Sequence, residues 1–181
     1  HWVKGGEWGT SELSMCVWGG VQCDDGPTLL GTRHVVKLDL SNNNLHGSLP
    51  PSIGKLKKLT SLDLSDNAIT GNIPDMATLT SLTRLALSYN HLEGTIPNVA
   101  NLNLLTSLDL RDNDLTGTIP GVASLTLLTR LDLGNNGLQG VLPWSVGNLA
   151  SLQILDVSSN PHLRGAVPES LCDVPALGYL A

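Results

Sequence analysis

Phenylalanine is missing from this 181-residue chain, and aromatic residues together make up 3% of it. A core built on large rings is thereby excluded, and the interior must be assembled from many similar aliphatic side chains. Charge is sparse as well, at 14% against a usual share of about 25%. Ten Lys and Arg against sixteen Asp and Glu leave a formal net charge of −6. That sign opposes a sequence-independent hold on nucleic acid or on an anionic membrane, so neither is an expected partner. No apolar run approaches the roughly 18 to 20 residues needed to span a bilayer, so direct membrane insertion by this segment is not expected. No basic-then-apolar leader opens the chain at His1; an exported protein would already have lost it. None of the fourteen Asn is followed two residues later by Ser or Thr, which removes every N-glycan acceptor. Cysteine is scarce and odd in number, with Cys16, Cys23 and Cys172.

Leucine, by contrast, fills 36 positions, and its distribution is periodic. The stretch Leu38 to Pro50 returns as Leu62 to Pro74, Leu85 to Pro97, Leu108 to Pro120, Leu131 to Pro143 and Leu155 to Pro168, with starts 23 or 24 residues apart. Each recurring residue has a physical task. In Leu62-Asp63-Leu64 the period of two sends the leucines to one face and the aspartate to the other, which predicts a short strand with one buried side. Asn43, Asn67, Asn90, Asn113, Asn136 and Asn160 share one repeat position, where a short amide can satisfy backbone groups left unpaired in a bend, and stacking turns them into a ladder. Gly47 and its five equivalents follow, and a Pro three residues on closes a second extended piece. Leu56, Leu79, Leu102, Leu125 and Leu149 fill the outer side. A single unit cannot bury its own leucines, so stability must come from stacking into a curved solenoid with parallel strands along the inner wall.

The string L-x-x-L-x-L-x-x-N-x-L-x-G-x-I-P, complete in Leu82 to Pro97 and Leu105 to Pro120, resembles the plant-type subclass of extracellular leucine-rich repeats. The resemblance implies an α/β solenoid, a right-handed superhelix with a parallel β-sheet on its concave face and 3-10 turns or loops on its convex side. It divides the chain into a cap over residues 1–34, six repeats over 35–176, and the start of a truncated seventh repeat or carboxy-terminal cap over 177–181. Cys16-Val17-Trp18-Gly19-Gly20-Val21-Gln22-Cys23 resembles the C-x-W-x-G-V-x-C segment that closes the amino end of these solenoids. By that likeness Cys16 and Cys23 form a disulfide and Trp18 packs on the first coil, while Trp2 and Trp8 resemble the tryptophan lead-in of algal and microbial versions of this cap.

Outward-facing strand positions form rows across the inner wall. They are Lys37, Asp39, Ser41; Ser61, Asp63, Ser65; Arg84, Ala86, Ser88; Ser107, Asp109, Arg111; Arg130, Asp132, Gly134; and Ile154, Asp156, Ser158. The middle column is acidic in every row but one. Stacked carboxylates can serve as an acid and base pair or hold a hard cation, yet Arg111, Arg130 and Ser158 stand near enough to neutralise them, and the five His have no metal-ligand spacing. No catalytic residue, metal or cofactor is therefore expected. The basic cluster is the better binding candidate: Arg84, Arg111 and Arg130, with Tyr89 at the rim, can hold a carboxylate or sulfate of a peptide. Lys37, Asp109 and Asp132 complete the candidate ligand face. Trp144, after Pro143, is expected on the outer side.

Cys172 replaces the glycine found at Gly54 and Gly147 and has no partner for a disulfide within the chain; in relatives with a carboxy-terminal cap such a Cys pairs with one further on. These readings converge on an extracellular or cell-surface recognition domain, not an enzyme. It is expected to be the ectodomain, or part of it, of a receptor or co-receptor that binds a protein or peptide, including a larger receptor, either as a monomer or associating end to end through its carboxy-terminal coil. The alternatives are a secreted inhibitor of a cell-wall-degrading enzyme such as a polygalacturonase, and a structural or adhesive wall protein.

Overall fold

The computed structural model describes residues 15–25 and 33–181; Trp2 and Trp8 lie outside the described residues. Its central feature is an eight-stranded sheet. In spatial order the strands are Val21–Cys23, Val35–Asp39, Ser61–Asp63, Arg84–Ala86, Ser107–Asp109, Arg130–Asp132, Ile154–Asp156 and Tyr179–Leu180. All pairs are parallel except the first, in which Val21–Cys23 runs antiparallel to Val35–Asp39. The chain therefore passes the inner wall once per coil and returns over the outside. Alternation dictates which face is dry: Leu62, Leu85, Leu108, Leu131 and Leu155 are at most 1% exposed. Each such leucine stabilises the fold by about 2 kcal/mol through burial alone. Leu79, Leu102, Leu125 and Leu149 close the core from the outer side, whereas Leu56 of the first full coil is only half-buried.

The second extended piece forms its own narrow sheets. His46–Ser48, Ala68–Asn72 and His91–Glu93 pair in parallel, as do Gln139–Val141 and His162–Arg164. Single bridges between Thr95 and Thr116 and between Thr118 and Gln139 connect the two groups. On the convex side, Pro51–Lys55, Trp144–Asn148 and Glu169–Asp173 are 3-10 turns, each preceded by an extended proline. The helical part of the solenoid is 3-10 throughout the described residues, and none of their helices is long and apolar enough to cross a membrane.

Between the inner strand and the narrow sheet lies the asparagine ladder. Asn113 Nδ2 donates to the carbonyls of Leu87, Leu110 and Arg111, and its Oδ1 accepts from the backbone N–H of Leu92. Asn67, Asn90, Asn136 and Asn160 repeat this pattern, so each amide ties its own bend to the coil before it. The bend is tight enough that the residue just before each ladder asparagine takes a left-handed backbone: Asn42, Asp66, Tyr89, Asp112, Asn135 and Ser159 have φ of 50 to 56°. The repeat glycines, such as Gly94 at φ 73°, are left-handed too, which accounts for their recurrence.

At the amino end a Cys16–Cys23 disulfide brackets the antiparallel strand. The Asp39 N–H donates to the Gly20 carbonyl at 2.7 Å, and Gly20 has φ 84°. A Cβ there would lie 1.9 Å from the Asp39 oxygen, so only glycine lets this segment approach the first coil. Trp18 is half-buried.

Candidate ligand-binding face

The register of the sheet aligns Lys37, Ser61, Arg84, Ser107, Arg130, Ile154 and Tyr179 in one row across the strands, and Asp39, Asp63, Ala86, Asp109, Asp132 and Asp156 in the next. Two kinds of aspartate result. Asp39, Asp63 and Asp156 each accept from the N–H and hydroxyl of the serine two residues on, a local bond that satisfies the carboxylate within its own coil. Asp109 and Asp132 are followed instead by Arg111 and Gly134, and they are 7% and 2% exposed. Lacking the serine, these carboxylates draw on arginines.

Arg130 places Nη2 2.6 Å from Asp132, Arg111 lies 3.5 Å from Asp109 and 3.7 Å from Asp132, and Arg84 reaches back to Asp63 at 3.1 Å. The three arginines are thus all paired, Arg111 and Arg130 as their closeness to the aspartate column suggested and Arg84 in addition, and they form a balanced network rather than a bare cationic patch. Burial pushes the Asp109 carboxyl above its usual range; Arg111 works against this, and the neighbouring Asp132 adds to it. At Asp63 burial acts in the same upward direction but is outweighed by hydrogen bonds from Ser65 and Arg84, which leaves that group below its ordinary value. Burial opposes the charge on Arg111, yet Asp109, Tyr89 and Asp132 hold its guanidinium above its usual range.

Tyr89 joins this network by a route that the residue pattern did not reveal. Its ring lies 5.1 Å from the Arg111 guanidinium carbon, within cation–π range, and it remains 44% exposed. It also occupies the left-handed position, at φ 55°, filled by Asn, Asp or Ser in the other coils. A bulky residue pays more for that backbone than Asn or Asp. The signal that marked the position was the run Asn42, Asp66, Asp112, Asn135, residue types that tolerate a left-handed bend. In the same coil the acidic column is interrupted by Ala86.

Tyr89, Arg111, Asp109, Asp132 and Arg130 are therefore linked in one cluster, with Arg84 on the strand of the Tyr89 coil paired to Asp63 in the coil before it. Lys37 stands apart on strand Val35–Asp39, exposed and without an ion pair among the described residues. Trp144 opens the convex turn and is 71% exposed. Cys172 is an exposed free thiol on the last 3-10 turn. Among the described residues no three His, Cys, Asp or Glu side chains converge as a metal-ligand set. Chemically the cluster offers arginine donors and an aromatic face, while both buried carboxylates are already engaged.

Residues 33–92 and 103–161 match the family model described as leucine rich repeat. A curated relative, the receptor-like serine/threonine-protein kinase GSO2 of Arabidopsis thaliana, is 40% identical over 68 residues, covering 38% of this chain and 5% of that protein. The chain thus spans a small part of the curated relatives it matches. Among solved structures, the ectodomain of the Arabidopsis receptor kinase SOBIR1 superposes with a TM-score of 0.77 at 32% identity, covering 84% of this chain and 86% of that one. The Arabidopsis receptor kinase HAESA, in complex with the peptide hormone IDA and the co-receptor SERK1, superposes with a TM-score of 0.72 at 32% identity, over 92% of this chain and 32% of that one. The chain belongs to the leucine-rich-repeat family, with repeats like those of plant receptor-kinase ectodomains.

Proposed function

We propose that this chain is a non-enzymatic, extracellular recognition module of receptor type, whose inner sheet holds a protein or peptide through Tyr89, Arg111, Arg84 and Arg130. The observation that carries the reading is Tyr89. A large side chain kept in a left-handed bend and half out in solvent regains only part of the backbone cost from its contact with Arg111, and such strain gathers at binding surfaces. Tyr and Arg are also the side chains most often dominant at protein interfaces. The HAESA complex supports a protein or peptide partner, since that protein binds both a peptide hormone and a co-receptor.

Acid–base chemistry fits the cluster poorly. Asp109 and Asp132 are almost fully buried and point their oxygens at arginine donors, so a substrate proton would not reach them without breaking those pairs. For a ligand, the same pairs are useful: they hold the guanidinium planes in place before binding, which lowers the ordering cost of an incoming carboxylate or backbone carbonyl. Lys37, Asp109 and Asp132 have supporting places in this reading, Lys37 at the edge of the face and the two aspartates beneath the arginines.

Selection from a displayed random-peptide library on the intact chain tests the proposal. Enriched peptides should bind the Arg111→Gln and Tyr89→Asn variants at least about tenfold more weakly, and the convex-face Trp144→Ala variant equally well. Peptides that bind all four proteins alike would place recognition elsewhere.

A further inference from the structure

We infer a second binding site, distinct from the inner face: a cationic cleft beside the first coil that takes an acidic peptide segment of a partner protein bearing an aliphatic side chain. The cleft has a volume of about 430 Å³ and lies where the chain enters strand Val35–Asp39 and where the outer loop at 55–58 descends toward Ser61. Arg33, Lys55, Lys57 and Lys58 stand around it, all exposed. These are four of the ten cationic side chains of a chain whose net charge is −6.

Three observations carry the assignment. Among the described residues no carboxylate lines the cleft and none of the four cations has an ion pair; Asp24 is engaged 3.1 Å from Nδ1 of His34, which also lines the cleft. Like charges gathered without counter-charge repel one another in the free protein, and an anionic partner relieves that repulsion. Second, the lysines are a departure from the repeat. The positions equivalent to Lys57 in the following coils are Thr80, Asn103, Thr126, Ala150 and Pro175, and those equivalent to Lys55 and Lys58 hold no cation in any other coil. Packing of Leu56 and Leu59 explains the leucines of this loop but not its charge. Third, the floor is apolar, formed by buried Val35 and half-buried Leu56. A polyuronate offers carboxylates but only hydroxylated rings to such a floor, whereas a peptide offers carboxylates flanking a leucine or valine. Lysine ammonium groups on flexible stems suit carboxylates spaced along an extended segment, with no need for a fixed fork.

The test is fluorescence anisotropy on the full chain with a labelled peptide of alternating Asp, Leu and Glu. Its controls are the amide peptide of Asn, Leu and Gln and an acidic peptide with Ser in place of Leu, and polygalacturonate is added as competitor. The acidic, leucine-bearing peptide should bind with an affinity that falls as salt rises, and more tightly than either control. The Lys55→Gln/Lys57→Gln/Lys58→Gln variant should lose about tenfold in affinity and most of the salt dependence, all three residues being exposed and outside the core. Tyr89→Asn should bind the probe as the unaltered chain does, which separates this site from the inner face. No binding, equal binding by the triple-lysine variant, equal binding of the serine peptide, or displacement by polygalacturonate at lower carboxylate concentration than the peptide's own would each overturn the assignment.

Discussion

The guanidinium carbon of Arg111 sits 5.1 Å from the centre of the Tyr89 ring, so the side chain that neutralises Asp109 and Asp132 also covers an aromatic residue held in a left-handed bend. Two opposing effects meet there. The backbone at φ 55° costs about 1 to 2 kcal/mol for an ordinary residue, and an exposed cation–π contact returns about 0.5 to 1 kcal/mol.

Substituting Tyr89→Asn should therefore leave stability within about 0.5 kcal/mol of the original, because the lost ring contact is offset by a residue at ease in the bend. Tyr89→Val should be less stable than either by about 1 kcal/mol or more, a β-branched side chain being least suited to positive φ. Denaturant titration of the three proteins checks the order, and a Val variant as stable as Asn would contradict the strain argument.

Asp63 and Asp109 should respond to pH in opposite senses. Asp63 has a folded pKa below the ordinary value of 3.8, so its contribution is present above that value and is lost as pH falls through the folded pKa. Asp109 has a folded pKa above 3.8; its ionised form costs stability at neutral pH, and the cost disappears as pH falls through the folded pKa toward 3.8. At pH 7 Asp63→Asn should lose about 1 kcal/mol. Asp109→Asn should be neutral or stabilising there, and both differences should close on acidification. Thermal unfolding between pH 3 and 7 measures this.

Removal of one rung of the ladder should cost far more than removal of a surface hydrogen bond. Asn113→Ala would leave the Leu92 N–H and the Leu87 and Leu110 carbonyls without their amide partner inside the stack. A loss of about 3 kcal/mol or more is expected. Amide exchange should accelerate first at Leu92.

Gly20→Ala tests the attachment of the amino-terminal strand. The added methyl would overlap the Asp39 carbonyl oxygen and meet a left-handed backbone as well. The strand should release from the first coil while the Cys16–Cys23 bond stays intact, visible as loss of protection at Asp39 and a drop of about 2 kcal/mol. Unchanged protection at Asp39 would mean that the disulfide alone holds the segment.

What could be read from the residues was whatever every coil demands again. Leucine in the strand, asparagine in the bend and glycine before the second extended piece recur because each coil poses the same packing and hydrogen-bonding problem, and six statements of one rule are hard to misread. The rows Lys37 to Ile154 and Asp39 to Asp156 followed from the period of two and appear unchanged in the sheet register. Less legible was which aspartate each arginine would choose, since Arg84 faces acids in the coils on either side and turns to Asp63. Tyr89 was readable as a rim residue but not as a strained one, because the left-handed angle comes from the path of the backbone. The serine bonds of Asp63 and Asp156, and their absence at Asp109 and Asp132, separate two classes of acid that look identical in the letters Leu-Asp-Leu.

From Asn67 to Asn160 each ladder asparagine serves the coil that precedes it, so each of those units carries the fastener by which it attaches. Duplicating one unit within the array would bring its own amide to a backbone of the same shape, and the unit behind it would find an equivalent surface waiting. Growth of such a chain by whole coils asks for no compensating change anywhere else, whereas gain or loss of part of a coil would leave an amide facing the wrong carbonyls.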